Sequence, residues 1–245
     1  MIYGSLSTEY YDLVKPKAFP EELAFYKERL DGAQGPILEG MCGSGRLLLP
    51  LLQGGLKIEG LDYSQPMLER CRVQGNELGL APVLYHQSIE TVSLPKKYEV
   101  IMIVGGSFQL IFPREKAIEA IRVAKAHLVK GGRLFLDTFI PWEFLYENAE
   151  EENFVNKVKT ASGSSITLTS HTVANKYEQC FTSKNTYQET MEKTVLQTEK
   201  EEMPVLWYYH HETVLLLESL GFNKVIVHPK KLGKHPELTV YEAVN

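Results

Sequence analysis

The sequence predicts a doubly wound α/β fold: a mostly parallel sheet with helices on both faces, interrupted late in the chain by an antiparallel β insertion. Three observations carry this. Short apolar runs alternate with amphipathic stretches of helical length through about residue 140, the rhythm of βαβ units. A glycine-rich turn, GMCGSG, links the first such run to the helix that follows it. Beyond Pro141 the helical period gives way to extended segments rich in Thr, Ser, Val and Tyr. Right-handed crossovers between parallel strands then fix the winding.

The elements follow in order. Residues 20–31, PEELAFYKERLD, read as a helix opened by Pro20, with Leu23, Tyr26 and Leu30 on one face; Gly32, Gly35 and Pro36 end it. Residues 36–39 form a short apolar strand. After the glycine turn, RLLLPLLQGG continues as a helix, and Pro50 inside it predicts a kink or a shift in register. KIEGLD (57–62) is the second strand, and residues 64–79 are a helix with Ser64 as N-cap. VLYHQ (83–87) and YEVIMIVGG (98–106) are the third and fourth strands. The helix 113–129 ends at Gly131-Gly132, and GRLFLDTF (132–139) is the fifth strand. Residues 154–202 read as three or so antiparallel strands with a turn near Asn175-Lys176. Helix returns at 208–220, stopped by Gly221, before strands at 225–228 and 238–244.

Composition excludes several classes of function. The 245 residues are 44% hydrophobic and 23% charged, as in soluble globular chains, and suffice to bury a core without disulfides or metal. The net charge of −5 argues against nucleic acid as the main partner, and every arginine lies at or before Arg133. Cys42, Cys71 and Cys180, odd in number and far apart, fit a reducing cytoplasm rather than a disulfide framework. No apolar run is long enough to span a bilayer, and the opening MIYGSLSTEYYDLV lacks the pattern of a signal peptide.

The most informative stretch is ILEGMCGSGRLLLPLL. Its glycines at 40, 43 and 45 let the backbone turn tightly and approach a ligand, and the following helix start offers free N–H groups. Asp62 ends the second strand, 22 residues past Gly40, where an acidic side chain can accept from both hydroxyls of a ribose. Together they predict a nucleoside site at the carboxyl ends of the first two strands. The dinucleotide spacing G-x-G-x-x-G fails, since it puts Leu48 in the third glycine position. The order here is G-x-x-G-x-G, preceded by Glu39, so a nicotinamide oxidoreductase is disfavoured.

These residues, with IEGLDYSQPMLERCR, YEVIMIVGGSFQLI and HLVKGGRLFLDTF in sequence, resemble the successive motifs of the class I S-adenosylmethionine (SAM) dependent methyltransferases. ETVLLLESLGFNKVIV resembles the late helix and sixth strand of members that act on small molecules. The resemblance covers residues 35–140 and 205–245. It implies a Rossmann-like sheet of seven strands with the last one antiparallel. It divides the chain into an N-terminal helical lid (1–35), the SAM-binding core (36–140), an antiparallel β cap over the acceptor (141–206) and the completion of the core sheet (207–245). It implies SAM as cofactor and S-adenosylhomocysteine as product. By resemblance, the backbone at Gly40, Met41 and Gly43 passes under the methionine part, Gly45 belongs to the same cofactor-binding turn, Asp62 holds the ribose, and Tyr63 and Met67 flank the adenine. Met67 serves either that role or its own helix core. Relatives carry Gly-Asp-Met on the third strand where this chain has Gln87, Ser88 and Ile89. Ser88 offers a hydroxyl without charge and Ile89 packs on the ring, so adenine is held more weakly. Gly105, Gly106 and Ser107 either face the reacting sulfur or form a turn without ligand contact. In EYYDLV, Tyr10 or Tyr11 closes over the site, or the segment is a surface helix.

Methyl transfer is an in-line displacement that needs alignment and dryness more than proton transfer, so a general base is optional. Candidates lie in WYYHHE: His210 or His211 as base, with Tyr208 and Tyr209 at the acceptor. The alternatives are exposed histidines at a helix start and tyrosines that pack the insertion on the core. Phe108, Trp142, Phe144 and Asp137 are further pocket candidates, and His86, His127, His171, His228 and His235 show no metal-ligand spacing. The run ETMEKTVLQTEKEE reads as a solvated strand face. Residues 150–202 carry nine acidic and six basic side chains, which favours a neutral or cationic small-molecule acceptor over nucleic acid. The insertion also offers a route to a homodimer. Two activities compete: a small-molecule methyltransferase, and a module of the same fold that binds SAM or S-adenosylhomocysteine without turnover.

Overall fold

The computed structural model describes residues 3–146, 150–232 and 237–245, without the side chains of 229–231. Two helices open the chain, α1 (Ser5–Val14) and α2 (Pro20–Leu30). Pro20 supplies a preset φ at the start of α2, and the Glu22 carboxylate accepts from the Phe19 N–H at 3.3 Å. The core sheet is built from β1 (Ile37–Gly40), β2 (Ile58–Asp62), β3 (Leu84–His86), β4 (Tyr98–Ile103), β5 (Leu128–Thr138), β10 (Lys224–Leu232) and β11 (Leu238–Val244). Its order is β10-β11-β5-β4-β1-β2-β3, parallel except for β11, which runs antiparallel to both neighbours. The order of connection reverses between the parallel strands β1 and β4, so a crevice opens at their carboxyl ends, where such sheets bind ligands. The central strand β4 is apolar from Val100 to Ile103, and all four side chains are fully buried.

Helices α3 (Leu48–Gln53) and α4 (Gln65–Glu77) follow β1 and β2, and α5 (Arg114–His127) precedes β5. Ser64 caps α4 as expected: its hydroxyl accepts from the Met67 N–H at 3.3 Å. Three boundaries differ from the sequence reading. The first helix after the glycine turn begins only at Leu48, which puts Pro50 in its first turn; a missing N–H there leaves no vacant intrahelical bond, so no kink is needed. Strand β5 begins at Leu128 and runs through Gly131-Gly132, with a register shift against β4 between Tyr98 and Val100. Strand β10 extends to Leu232, past the expected end at His228.

The insertion is a separate sheet of four strands rather than three: β6 (Glu151–Lys159), β7 (Ser165–Asn175), β8 (Cys180–Met191) and β9 (Thr194–Leu206), paired antiparallel in that order. The turn between β7 and β8 lies at 176–179, where the Asn175 side-chain oxygen accepts from the Glu178 N–H at 3.1 Å. Short α6 (Trp142–Tyr146) leads into this sheet and α7 (His210–Ser219) leads out of it. Helix α1 packs on one face: Leu6 and Tyr10 bury against Ile166 and Tyr187. Among the described residues, no helix is long and apolar enough to cross a membrane.

Candidate functional site

Two adjoining cavities lie at the carboxyl ends of β1, β2 and β4. The first, about 120 Å³, is bounded by the glycine turn, the ends of β2 and β4, and Tyr3, Tyr11 and Lys15 of the N-terminal segment. The second, about 330 Å³, lies beside β3 and is lined by Gln87, Ser88, Ile89 and Glu90. Met41, Tyr63 and Leu110 border both, so the two form one elongated cleft. Met41 holds φ +59, a left-handed conformation uncommon without glycine, and so presents its side chain where the cavities meet. Gly45, at φ +86, has no room for a side chain: an added Cβ would lie 2.5 Å from Cys71 Sγ.

Two carboxylates line the first cavity, and a third lies behind it on Arg46. Asp62 is 8% exposed; its Oδ2 accepts from the Gly43 N–H at 2.9 Å and its Oδ1 from the Ser64 N–H at 2.8 Å. Burial raises its pKa, and the backbone N–H groups of Ser64, Gly43 and Tyr63 oppose the rise. A carboxylate offers about four lone pairs, so these three donors leave room for a further one. Glu39 is 5% exposed, and its Oε2 is buried without a hydrogen-bond partner. Burial pushes its pKa up to about 8, although Arg46 pulls the other way. A buried carboxyl oxygen without a donor is costly, so this one fits a cationic ligand group. Glu22, from α2, takes up the Arg46 guanidinium in a two-bond fork, with Nη2–Oε1 at 2.8 Å and Nη1 on Oε2. Arg46 and Lys15 are the two cations of this end.

Asp137, at the end of β5, lies beneath the β4 turn and is fully buried. Its Oδ2 accepts from the Gly105 N–H at 2.9 Å and from the Tyr26 hydroxyl at 3.3 Å, and its Oδ1 accepts from the Gly106 N–H at 2.7 Å. Burial pushes its pKa up to about 7 despite these donors. In the second cavity, the Ser88 hydroxyl donates to Glu90 Oε2.

The structure distributes the expected site residues unevenly. Met41, Gly43, Asp62, Tyr63, Met67 and Gly105 line the first cavity, together with Ser107; Ser88 and Ile89 line the second. Met67 is also 2% exposed in its helix, so its place in the helix core does not keep it from the cavity wall. Gly40, Gly45 and Gly106 line neither cavity. They sit one layer behind, where Gly40 meets Ile89, Gly45 meets Cys71 and Gly106 bonds Asp137. Tyr11 lines the cleft, whereas Tyr10 turns to the insertion, where its hydroxyl accepts from Asn156 at 2.7 Å.

Tyr208, His210 and His211 border neither cavity. Tyr208 is 1% exposed, packs on Phe108 at 5.1 Å beneath Arg114, and has its hydroxyl pushed up to about 12 by burial, which disqualifies it as a base near neutrality. His210 and His211 are exposed at the start of α7, with His210 Nδ1 3.4 Å from the Tyr241 hydroxyl. Phe144 packs on Phe181, and half-exposed Trp142 stacks on Tyr146. His86, His127, His171 and His228 each hydrogen-bond a protein partner; His235 lies outside the described residues. The acidic run of β9 is not wholly solvated either. Glu201 is 5% exposed, and Glu199 accepts from the Leu6 and Ser7 N–H groups at the start of α1, at 3.0 and 3.1 Å.

The sequence reading assigned no role to Glu39, Arg46, Glu90 or Tyr3. For Glu39 a signal existed: it is the one charged side chain in the apolar strand that leads into the glycine turn.

Residues 37–132 match the family model described as a methyltransferase domain. The cypemycin N-terminal methyltransferase of a Streptomyces species is 26% identical over 147 residues. That match spans 58% of this chain and 58% of the relative's length. Among solved structures, a S-adenosylmethionine-dependent methyltransferase from Clostridium acetobutylicum shares the fold with a TM-score of 0.75 and 17% identity, over 96% of this chain and 95% of that one. CalS10, an amino pentose methyltransferase from Micromonospora echinaspora, does so with a TM-score of 0.72 and 15% identity, over 99% and 98% of the two chains. KedS8, a sugar N-methyltransferase from a Streptoalloteichus species, gives a TM-score of 0.70 at 20% identity, over 100% and 96%.

Proposed function

We propose that the chain, whose residues 37–132 match a methyltransferase domain, is a class I SAM-dependent methyltransferase that transfers the methyl group of SAM to a small-molecule acceptor. The observation that carries the reading is the orphaned, buried oxygen of Glu39 in the same cavity as Asp62. A ligand with ribose hydroxyls and a cationic amino-acid end fits both. SAM supplies an activated methyl group on a sulfonium, and the chain supplies position and dryness. Asp62 takes the ribose hydroxyls, and the Met41, Tyr63 and Ile89 side chains sandwich the adenine. Glu39 faces the ammonium, while Arg46 and Lys15 face the carboxylate. The Ser88–Glu90 pair supplies a carboxylate for the adenine amine, so the missing Asp on β3 is replaced from two residues further on. Tyr3 and Tyr11 close the cleft from above and exclude water.

No histidine lines either cavity among the described residues. A neutral amine needs no base in order to attack, so nitrogen suits this lining better than oxygen. The net charge of the insertion favours a neutral or cationic acceptor. For oligomeric state, β6 is an edge strand, EENFVNKVK, with Val155 exposed on it. Antiparallel self-pairing centred on Val155 sets Glu151 of one copy against Lys159 of the other, and this charge match supports a homodimer.

The first test is thermal unfolding with S-adenosylhomocysteine, with NAD as control. Ligand at ~100 times its dissociation constant adds about 2.7 kcal/mol, a shift of roughly 5–10 °C for a chain of this size. Asp62→Ala should cut the shift to about half or less. Transfer of labelled methyl from SAM to a panel of small amines then separates an enzyme from a binding module, and no shift at millimolar ligand would remove the methyltransferase reading.

A further inference from the structure

We propose that Asp137 is a positioning residue for the amino-acid end of the bound nucleoside: its carboxylate fixes the Gly105–Gly106 turn and thereby aims the Gly105 carbonyl at the cleft. The inference rests on the SAM-binding reading above and adds a residue that touches no ligand.

The geometry is specific. Gly105 and Gly106 both hold φ in the left-handed region, at +75 and +77, so the strand leaves β4 through two residues free to choose either orientation of their peptides. One buried carboxylate makes the choice, with one oxygen on each N–H. In a trans peptide the carbonyl points opposite to the N–H. The N–H of Gly106 belongs to the same peptide as the Gly105 carbonyl, so drawing the first down onto Asp137 turns the second away from it. Gly105 lines the cleft and Asp137 does not. The neighbouring carbonyl, Val104 O, is taken up by the Ser107 hydroxyl at 2.8 Å, and Gly106 O by the Gln109 N–H at 3.2 Å. The Gly105 carbonyl therefore remains for a ligand donor. Its place along the cleft is fixed as well: a Cβ on Gly105 would lie 3.2 Å from Arg46 Nη2, at the charged end rather than the Ser88–Glu90 end.

Binding of three nucleosides tests this by titration calorimetry: SAM, S-adenosylhomocysteine, and 5′-methylthioadenosine, which lacks the amino-acid part. Asp137→Asn keeps the volume but gives the two glycine N–H groups only one acceptor oxygen. It should weaken SAM and S-adenosylhomocysteine about tenfold and methylthioadenosine less than twofold. A merely structural role would weaken all three alike, and equal losses, or none, would overturn the proposal. Tyr26→Phe removes only the third donor and keeps the carboxylate and both glycine bonds, so it decides the matter if Asp137→Asn does not fold. A selective loss of two- to threefold for the two amino-acid-bearing ligands is expected, and an equal effect on all three overturns the inference. A wild-type chain that binds none of the three fails at the SAM reading itself and takes this inference with it. Wild-type binding with unselective variants sinks the inference alone.

Discussion

Glu39 is the residue with the clearest pH signature. Its folded-state pKa of about 8 lies above the ordinary carboxylate value, so the folded chain holds a proton that the unfolded chain has released. The contribution to stability is complete below the unfolded pKa, and it falls as pH rises through the window from about 4.5 to about 8 by up to ~1.4 kcal/mol per pH unit. Urea unfolding of the ligand-free chain at pH 5 and pH 8 should show that decline, and Glu39→Gln should remove the Glu39 part of it. Binding runs the other way. A cationic ligand favours the ionised carboxylate, so SAM affinity should rise between pH 6 and 8.5 in the wild type and stay flat in Glu39→Gln. Asp62→Ala loses charge-assisted bonds worth ~1.5–3 kcal/mol, a ten- to hundredfold loss of affinity for S-adenosylhomocysteine by calorimetry. Tyr208 behaves differently. Its hydroxyl is buried without a partner, so Tyr208→Phe should leave methyl transfer within twofold and stability unchanged or slightly raised.

Among elements, the glycine turn was legible because its constraint is local. Gly45 must be glycine for two reasons, its positive φ and the 2.5 Å approach of Cys71 Sγ. Gly45→Ala should cost at least ~2 kcal/mol and lower the melting temperature by roughly 4–8 °C. The Ser64 cap and the β11 strand were legible for the same reason. Other features were not. Helix α3 starts later than its apolar run suggests, because Pro50 is tolerated only in a first turn. Glu199 and Glu201 sit in a charge run that reads as solvated, and nothing within β9 announces that α1 lies on it. Asp137 and Gly105 are 32 residues apart, and their bond depends on which strands become neighbours. Sequence periodicity reports the face of an element; it does not report the partner. Where Glu199 holds the α1 N-terminus, Glu199→Ala should remove ~0.5–2 kcal/mol of helix stabilisation. Release of S-adenosylhomocysteine, followed by stopped-flow fluorescence, should then be several times faster.

At the scale of the whole molecule, the N-terminal segment ties the two sheets together. The Tyr3 carbonyl accepts from the Ser64 hydroxyl at 2.7 Å on the core, and the Tyr3 N–H donates to Glu201 at 2.9 Å on the insertion. The free edge of β6 is the other large-scale feature. If it pairs with its own copy, light scattering should give twice the 27.8 kDa chain mass, and Val155→Pro should return the monomer with S-adenosylhomocysteine binding intact. The tie at Tyr3 and α1 also has a consequence in time. Ser7 bonds a side chain 192 residues further along. A ribosome adding 5–20 residues per second takes roughly 10–40 s to make that stretch. For that interval the first helix has left the tunnel without its sheet, with the apolar side of Leu6 and Tyr10 uncovered. A nascent chain of this design depends on whatever shields that helix until β9 has been made.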